Sequence, residues 1–179
     1  TYKLFVAYSV LKRTENGQMS WGDEVVGGRN LEKCFDDMIV LSDNPCPQAI
    51  IKRLTHGAIQ ADVRELGMKS TNFLDAESYK ITANDLAQFT AMLEARQLPI
   101  SRASQDKLIA AMRRNVYRQG IPAGSSGTVA DKVGFLDGLL HDAAIVYSPS
   151  GTYVLVIMTD GSSWAEIAAL TRKIEELRG

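Results

Sequence analysis

The sequence predicts an α+β fold in one domain spanning residues 1–179: a helical lobe over about 1–118, then a strand, a hairpin and a closing helix over about 119–179. Three observations carry this reading. Up to about residue 118 the apolar residues recur at helical spacing. After Gly120 the texture changes to a Gly/Pro/Ser loop followed by short apolar runs. Two of those runs are separated by Ser148-Pro149-Ser150-Gly151, a strong hairpin signal. Helices first and strands later point to helices packed on a short antiparallel sheet.

Taken in order, residues 3–15 read as a largely buried helix closed by Asn16-Gly17. An irregular stretch through Trp21 and Gly27-Gly28 follows. Asn30 then caps a helix with Leu31, Cys34, Phe35, Met38 and Ile39 on one face. That helix ends at Ser42-Asp43-Asn44-Pro45, where proline biases Asn44 away from helical geometry, and a short helix starts near Pro47. Residues 58–66 give another helix, stopped by Gly67. Thr82 with Asp85 forms a capping-box-like start for a helix over 83–95. Ser101 caps the next, which carries Leu108, Ile109, Met112 and Val116. Ile121 to Gly127 reads as a loop, and 128–132, 143–147 and 153–159 as strands. A last helix begins near Ser162 with Trp164, Ile167, Leu170, Ile174 and Leu177 on one face.

The composition is that of a globular protein, 45% apolar and 23% charged, with a net charge of −1. That balance offers no electrostatic case for nucleic acid or an anionic membrane. Arg113-Arg114 and Lys52-Arg53 fall in helical patterns and read as solvated faces. No apolar run reaches the ~18 residues that a membrane span requires. The N-terminus lacks an initiator Met and the marks of a signal peptide, and it starts inside an apolar helix, so an N-terminal helix and strands are expected upstream. Cys34 and Cys46 flank the Ser-Asp-Asn turn with no histidine nearby, which argues against zinc. They are either two buried thiols or one disulfide tying two helices.

One pattern carries chemistry. Thr1-Tyr2-Lys3 matches the last three letters of S-x-x-K, Ser42-Asp43-Asn44 is an intact S-D-N, and Lys132-Val133-Gly134 is K-[ST]-G with one substitution. By order, spacing and flanking texture the chain resembles the class A β-lactamase-like serine hydrolases, relatives of the penicillin-binding proteins. Thr128-Val129-Ala130-Asp131-Lys132 and the run 140–147 are similar to that family's wall-forming strands, and Leu66-Gly67-Met68 to its helix end after the Ser-Asp-Asn helix.

The resemblance implies a serine nucleophile immediately before Thr1. It also implies acylation by a β-lactam or a peptidoglycan-like amide, hydrolysis of the acyl-enzyme, no cofactor and no metal, and an extracytoplasmic location. Lys3 would act as general base or its partner, Ser42 would pass protons to the leaving nitrogen, and Lys132 would polarise Ser42 and face a substrate carboxylate. Asn44 would hold the substrate amide, Gly134 would allow its close approach, and the Phe135 N–H would complete an oxyanion hole. Asp43 would hold the turn.

Three departures qualify this. Val133 replaces the family's Thr or Ser and removes a hydroxyl that binds the substrate carboxylate. The loop 72–82 is short, and Glu77, the candidate for deacylation, is followed four positions on by Ile81 rather than asparagine; it is otherwise a solvated loop glutamate. His141-Asp142 stands where many relatives carry an arginine, and His141 either lines the pocket or is an ordinary strand-end histidine. His56 reads as structural. The alternative to an enzyme is a non-catalytic or slow penicillin- or peptidoglycan-binding module of the same fold.

Overall fold

A computed structural model of the chain describes residues 1–75 and 78–179. Helix α1 (Lys3–Glu15) is buried without a break from Lys3 to Leu11, and the rest of the helical lobe is built around it. Its last turn carries Lys12 and Arg13, which complement the helix dipole and also pair with Asp62, at 2.9 and 2.5 Å. A tight ribbon follows, β1 (Glu24–Val26) and β2 (Arg29–Asn30), turning through Gly27-Gly28. Helix α2 (Leu31–Val40) starts at Asn30, whose side chain accepts from the Lys33 N–H as its position implied.

Helix α3 (Pro45–Leu54) begins at Pro45 rather than near Pro47. Asn44 sits in the right-handed helical region (φ −101°, ψ −41°) despite the following proline. Side-chain bonds offset that preference: Asn44 accepts from Lys3, and Asp43 caps the Cys46 N–H. Cys34 on α2 and Cys46 on α3 form a disulfide with Cα atoms 5.2 Å apart, which decides between the two readings left open by sequence. Helix α4 (His56–Glu65) is capped by Thr55, and Gly67 takes positive φ after it.

Helix α5 (Ala83–Glu94) is capped by Thr82, but only half of the capping box forms. The Asp85 carboxylate turns away to accept from the Ser70 N–H and the Thr71 hydroxyl, each at 2.9 Å, which anchors the preceding loop. Helix α6 (Arg102–Arg113) is capped by Ser101 and stops short of Val116, whose N–H instead bonds the Val40 carbonyl at 3.1 Å. The segment expected as a loop after Gly120 contains a single helical turn, α7 (Ile121–Gly124), with proline near its start.

The sheet is antiparallel in the order β3 (Thr128–Leu136), β4 (Leu139–Ser148), β5 (Gly151–Asp160). All three strands are longer than their apolar runs, because the hairpins extend them. The β4–β5 turn is the two residues Pro149-Ser150, and the β3–β4 turn is Asp137-Gly138. Both of these last residues have positive φ (47° and 87°), the geometry that an Asp-Gly hairpin turn demands. The Asp-Gly pair marks this turn in the sequence.

Successive strand residues face opposite sides. Ala130, Ala143 and Ile145 join the large core of the helical lobe. Val129, Ala144, Val146 and Ile157 form a second core with Ile121 and Ile167. Helix α8 (Trp164–Arg178) covers this second face, with a full capping box between Ser163 and Glu166. Its buried face differs from the expected one: Ile167, Ala168 and Thr171 are inside, whereas Leu170 and Leu177 are 48% and 79% exposed. The cause is close packing on α7, where a Cβ on Gly124 would collide with the Ala168 carbonyl. Small residues, not the largest ones, set the contact. Among the described residues no helix is long and apolar enough to cross a membrane.

Candidate active site

The first turn of α1, the turn between α2 and α3, and strand β3 meet at one point. Ser42 adopts φ +56°, a left-handed conformation uncommon for a serine. It is held there from both sides. The N–H groups of Leu41 and Asp43 both donate to the Asp37 carbonyl, at 3.1 Å, which closes the end of α2. Asp43 accepts from the Cys46 N–H at 2.8 Å and pairs with Arg29 at 3.2 Å, so its carboxylate holds the turn.

Lys3 reaches into this turn. Its Nζ donates to the Ser42 carbonyl (2.5 Å), to Asn44 Oδ1 (2.7 Å) and, at longer range, to Ser42 Oγ (3.3 Å). Lys132 approaches from β3 and donates to Ser42 Oγ at 2.8 Å and to the Val133 carbonyl at 2.8 Å. Two amines thus converge on one hydroxyl. Lys132 is wholly buried and Lys3 nearly so. Burial lowers the Lys3 pKa to about 8, an effect partly opposed by the Asp43 charge. Burial, and then the charge of Lys3, lowers Lys132 to about 7 against the pull of Asp131 and Asp142. Both lysines therefore change protonation state near neutral pH.

Gly134 lies against the start of the chain: a Cβ there would overlap the Thr1 nitrogen. The backbones of β3 and the residue leading into α1 touch because this position has no side chain. His141 is paired with Gly134 across the β3–β4 ladder, and its Nδ1 accepts from the Thr159 N–H at 3.3 Å. Burial lowers its pKa, which favours a neutral ring. Val133 and Phe135 alternate to the other face of β3. Val133 is buried beside its cross-strand partner Asp142, and Phe135 packs near Tyr117 and Trp164. Of the residues singled out by sequence, Lys3, Ser42, Asn44 and Lys132 come together by direct hydrogen bonds, Gly134 and His141 border them, and the Val133 and Phe135 side chains face away. Glu77 lies outside the described residues. His56 bonds the Tyr79 hydroxyl at 3.1 Å, outside this cluster.

Sequence reasoning missed a buried acidic pair behind Lys132. Asp131 and Asp142 are fully buried on the sheet face opposite that lysine. Asp131 accepts from Asn115 Nδ2 at 2.6 Å and pairs with Arg118. Asp142 accepts from the Ile121 N–H at 2.9 Å, while its other oxygen has no partner among the described residues. Burial raises both pKa values, and the Asp142 charge raises that of Asp131 further. The available signal was a lone acid inside each of two apolar strand runs. Among the described residues no group of three or more His, Cys, Asp or Glu is placed to hold a metal ion.

Such an arrangement can move protons. As an ammonium, Lys3 aims its donors at three oxygens. As a neutral amine it keeps two of those bonds and turns a lone pair outward, able to take a proton from a neighbouring hydroxyl. Lys132 keeps Ser42 polarised meanwhile.

A family model described as the beta-lactamase enzyme family matches residues 1–176. No curated protein sequence matches the chain. Among solved structures, the one titled "Structure of PBP-A" superposes with a TM-score of 0.85 at 24% identity, over 99% of this chain and 79% of that one. A beta-lactamase from Sphaerobacter thermophilus gives 0.88 at 19% identity, over 100% of this chain and 82% of that one. An ancestral class A beta-lactamase gives 0.85 at 20% identity, over 99% and 84%. At such identities these likenesses speak to the fold.

Proposed function

The chain belongs to the beta-lactamase enzyme family, and from that premise we propose that it forms the core of a serine hydrolase acting by acyl transfer, its nucleophilic serine placed immediately before Thr1. The observation that carries this reading is the convergence of Lys3 and Lys132 on Ser42 Oγ, beside the point where Gly134 meets the Thr1 nitrogen. A hydroxyl on the preceding residue would enter α1 at its N-terminus, where the dipole favours developing negative charge.

In this reading neutral Lys3 takes the serine proton as the hydroxyl attacks a carbonyl carbon. The proton then passes to Ser42, which delivers it to the leaving group. Lys132 stays at Ser42 and keeps donating a hydrogen bond to its hydroxyl oxygen. The Phe135 N–H and the serine's own N–H stabilise the oxyanion. Asn44 orients the substrate amide, and His141 lines the wall next to Gly134. In the second half-reaction water replaces the leaving group and the serine is restored. Glu77 is the residue proposed to serve that water. The buried disulfide supports an oxidising, extracytoplasmic setting. A single domain comprising both lobes is proposed as the functional unit, because the site draws residues from each.

The test is labelling of the full-length protein with a fluorescent penicillin. A covalent adduct that disappears in Lys3→Ala and in Ser42→Ala is the expected result. The absence of an adduct, with reversible penicillin binding retained, would instead make the fold a binding module.

A further inference from the structure

A second concavity runs along helix α3. Gln48, Ile51, Lys52, Thr55, His56 and Tyr79 line a pocket of about 390 Å³, a volume within the range of small-molecule sites. Two contacts join it to the cluster around Ser42. Gln48 follows Asn44 by one helical turn and donates its N–H to the Asn44 carbonyl at 3.2 Å, so the two side chains share one face of α3. Ile51 and Lys52 continue that stripe, and Thr55 closes the helix. From the following loop, the Tyr79 ring lies 5.0 Å from the ring of Tyr2, the residue before Lys3, and its hydroxyl meets His56 at 3.1 Å. The pocket therefore begins one turn beyond the residue assigned to the substrate amide.

Its charge is one-sided. Lys52 is the cation of the lining, and among the described residues no acidic side chain lines the pocket. Lys52 is exposed and has no ion pair among the described residues, and the Gln48 side-chain amide has no hydrogen-bond partner among them. Arg53, next in the chain, is by contrast held by Asp23 at 2.7 Å. Ile51 is buried and supplies a carbon floor, and the Tyr79 ring supplies a second apolar surface. Side chains on a helix lean toward its N-terminus, so the Lys52 ammonium is carried back toward Gln48 and Asn44. A carboxylate at the end of a short carbon chain matches this lining: the chain lies on Ile51 and Tyr79, and the charge meets Lys52 with the Gln48 amide beside it.

We propose that this pocket is a subsite for the distal end of the acyl donor, and that it takes an amide side chain ending in a carboxylate. This rests on the acyl-transfer reading above and adds where the chain beyond the amide lies. Asn44 and Lys52 are eight residues apart, roughly 12 Å along the helix axis. The lysine stem covers about half of that, and a side chain of about six carbons, amide carbonyl to carboxyl, spans the remainder. With a penicillin, the serine oxygen bonds the lactam carbonyl carbon, the C–N bond opens and the nitrogen takes the proton. The side chain in the subsite stays on the acyl-enzyme unchanged.

The experiment compares acylation of the full-length protein by two penicillins that differ only at the end of the side chain, adipyl and hexanoyl. Second-order acylation rates are followed by intact mass. The adipyl compound is expected to react about threefold or more faster than the hexanoyl one, a margin that shrinks in added salt. Lys52→Met should bring the ratio to about one, and Lys52→Glu should invert it; Lys52 is exposed, so the fold tolerates both changes. Equal rates for the two penicillins, or a faster hexanoyl compound, overturn this inference and leave acyl transfer standing. An adipyl preference that persists in both Lys52 variants also overturns it, since the carboxylate is then read elsewhere. No adduct with either penicillin overturns acyl transfer and this inference with it.

Discussion

Ser42 holds a left-handed backbone with its hydroxyl between two amines, a costly arrangement in which every neighbour is buried or bonded. The costs predict pH behaviour. Lys3 titrates at about 8 in the folded chain, so acylation should climb as pH rises through that value and then level off, as the neutral amine is the form that accepts a proton. In Lys3→Ala that ascending limb should vanish and the rate fall by about 10²–10⁴-fold, read from acylation rates at a series of pH values. Lys132 is lowered to about 7 when folded and returns to the ordinary lysine value of about 10.4 when unfolded. Between those values the unfolded chain binds the additional proton, so its contribution to stability rises with pH from about 7 toward 10 and is flat below. Lys132→Met should remove this slope and stabilise the protein at pH 7 by on the order of 1–3 kcal/mol, measured by urea unfolding, at the expense of activity.

At the scale of elements, the turn between α2 and α3 is stapled beneath by the Cys34–Cys46 disulfide and above by the Arg29–Asp43 pair. Replacing both cysteines by serine should cost roughly 3 kcal/mol, as expected for a loop of this length, and should slow acylation, because the closed loop contains both Ser42 and Asn44. Most elements were legible from local signals. Asn30, Thr82 and Ser101 cap helices in the structure, and Gly67 ends one. Where local signal and structure differ, packing overrides the local rule. Asn44 is helical because Lys3 and Asp43 hold its surroundings, half of the Thr82–Asp85 box is spent on another loop, and α8 turns its small residues inward to meet Gly124.

For the whole molecule, the site exists only where the two lobes meet: Lys3, Ser42 and Asn44 come from the helical lobe and Lys132 from the sheet. Their convergence was legible because the spacing of three short motifs encodes it. The acidic pair behind Lys132 was not, since it depends on strand register and on which face of β3 a residue takes. Asp142 reaches its place through its pairing with Val133, and Val116 through its bond to Val40. Neither contact leaves a trace in local sequence. The central claim is that the two lysines activate a serine just ahead of α1. Intact-mass and peptide mapping of the full-length protein after exposure to penicillin tests it most directly. One acyl group on the peptide that contains the residue preceding Thr1, absent in Lys3→Ala, is the predicted result. No mass increase, or an adduct on that peptide that persists in Lys3→Ala, would contradict it.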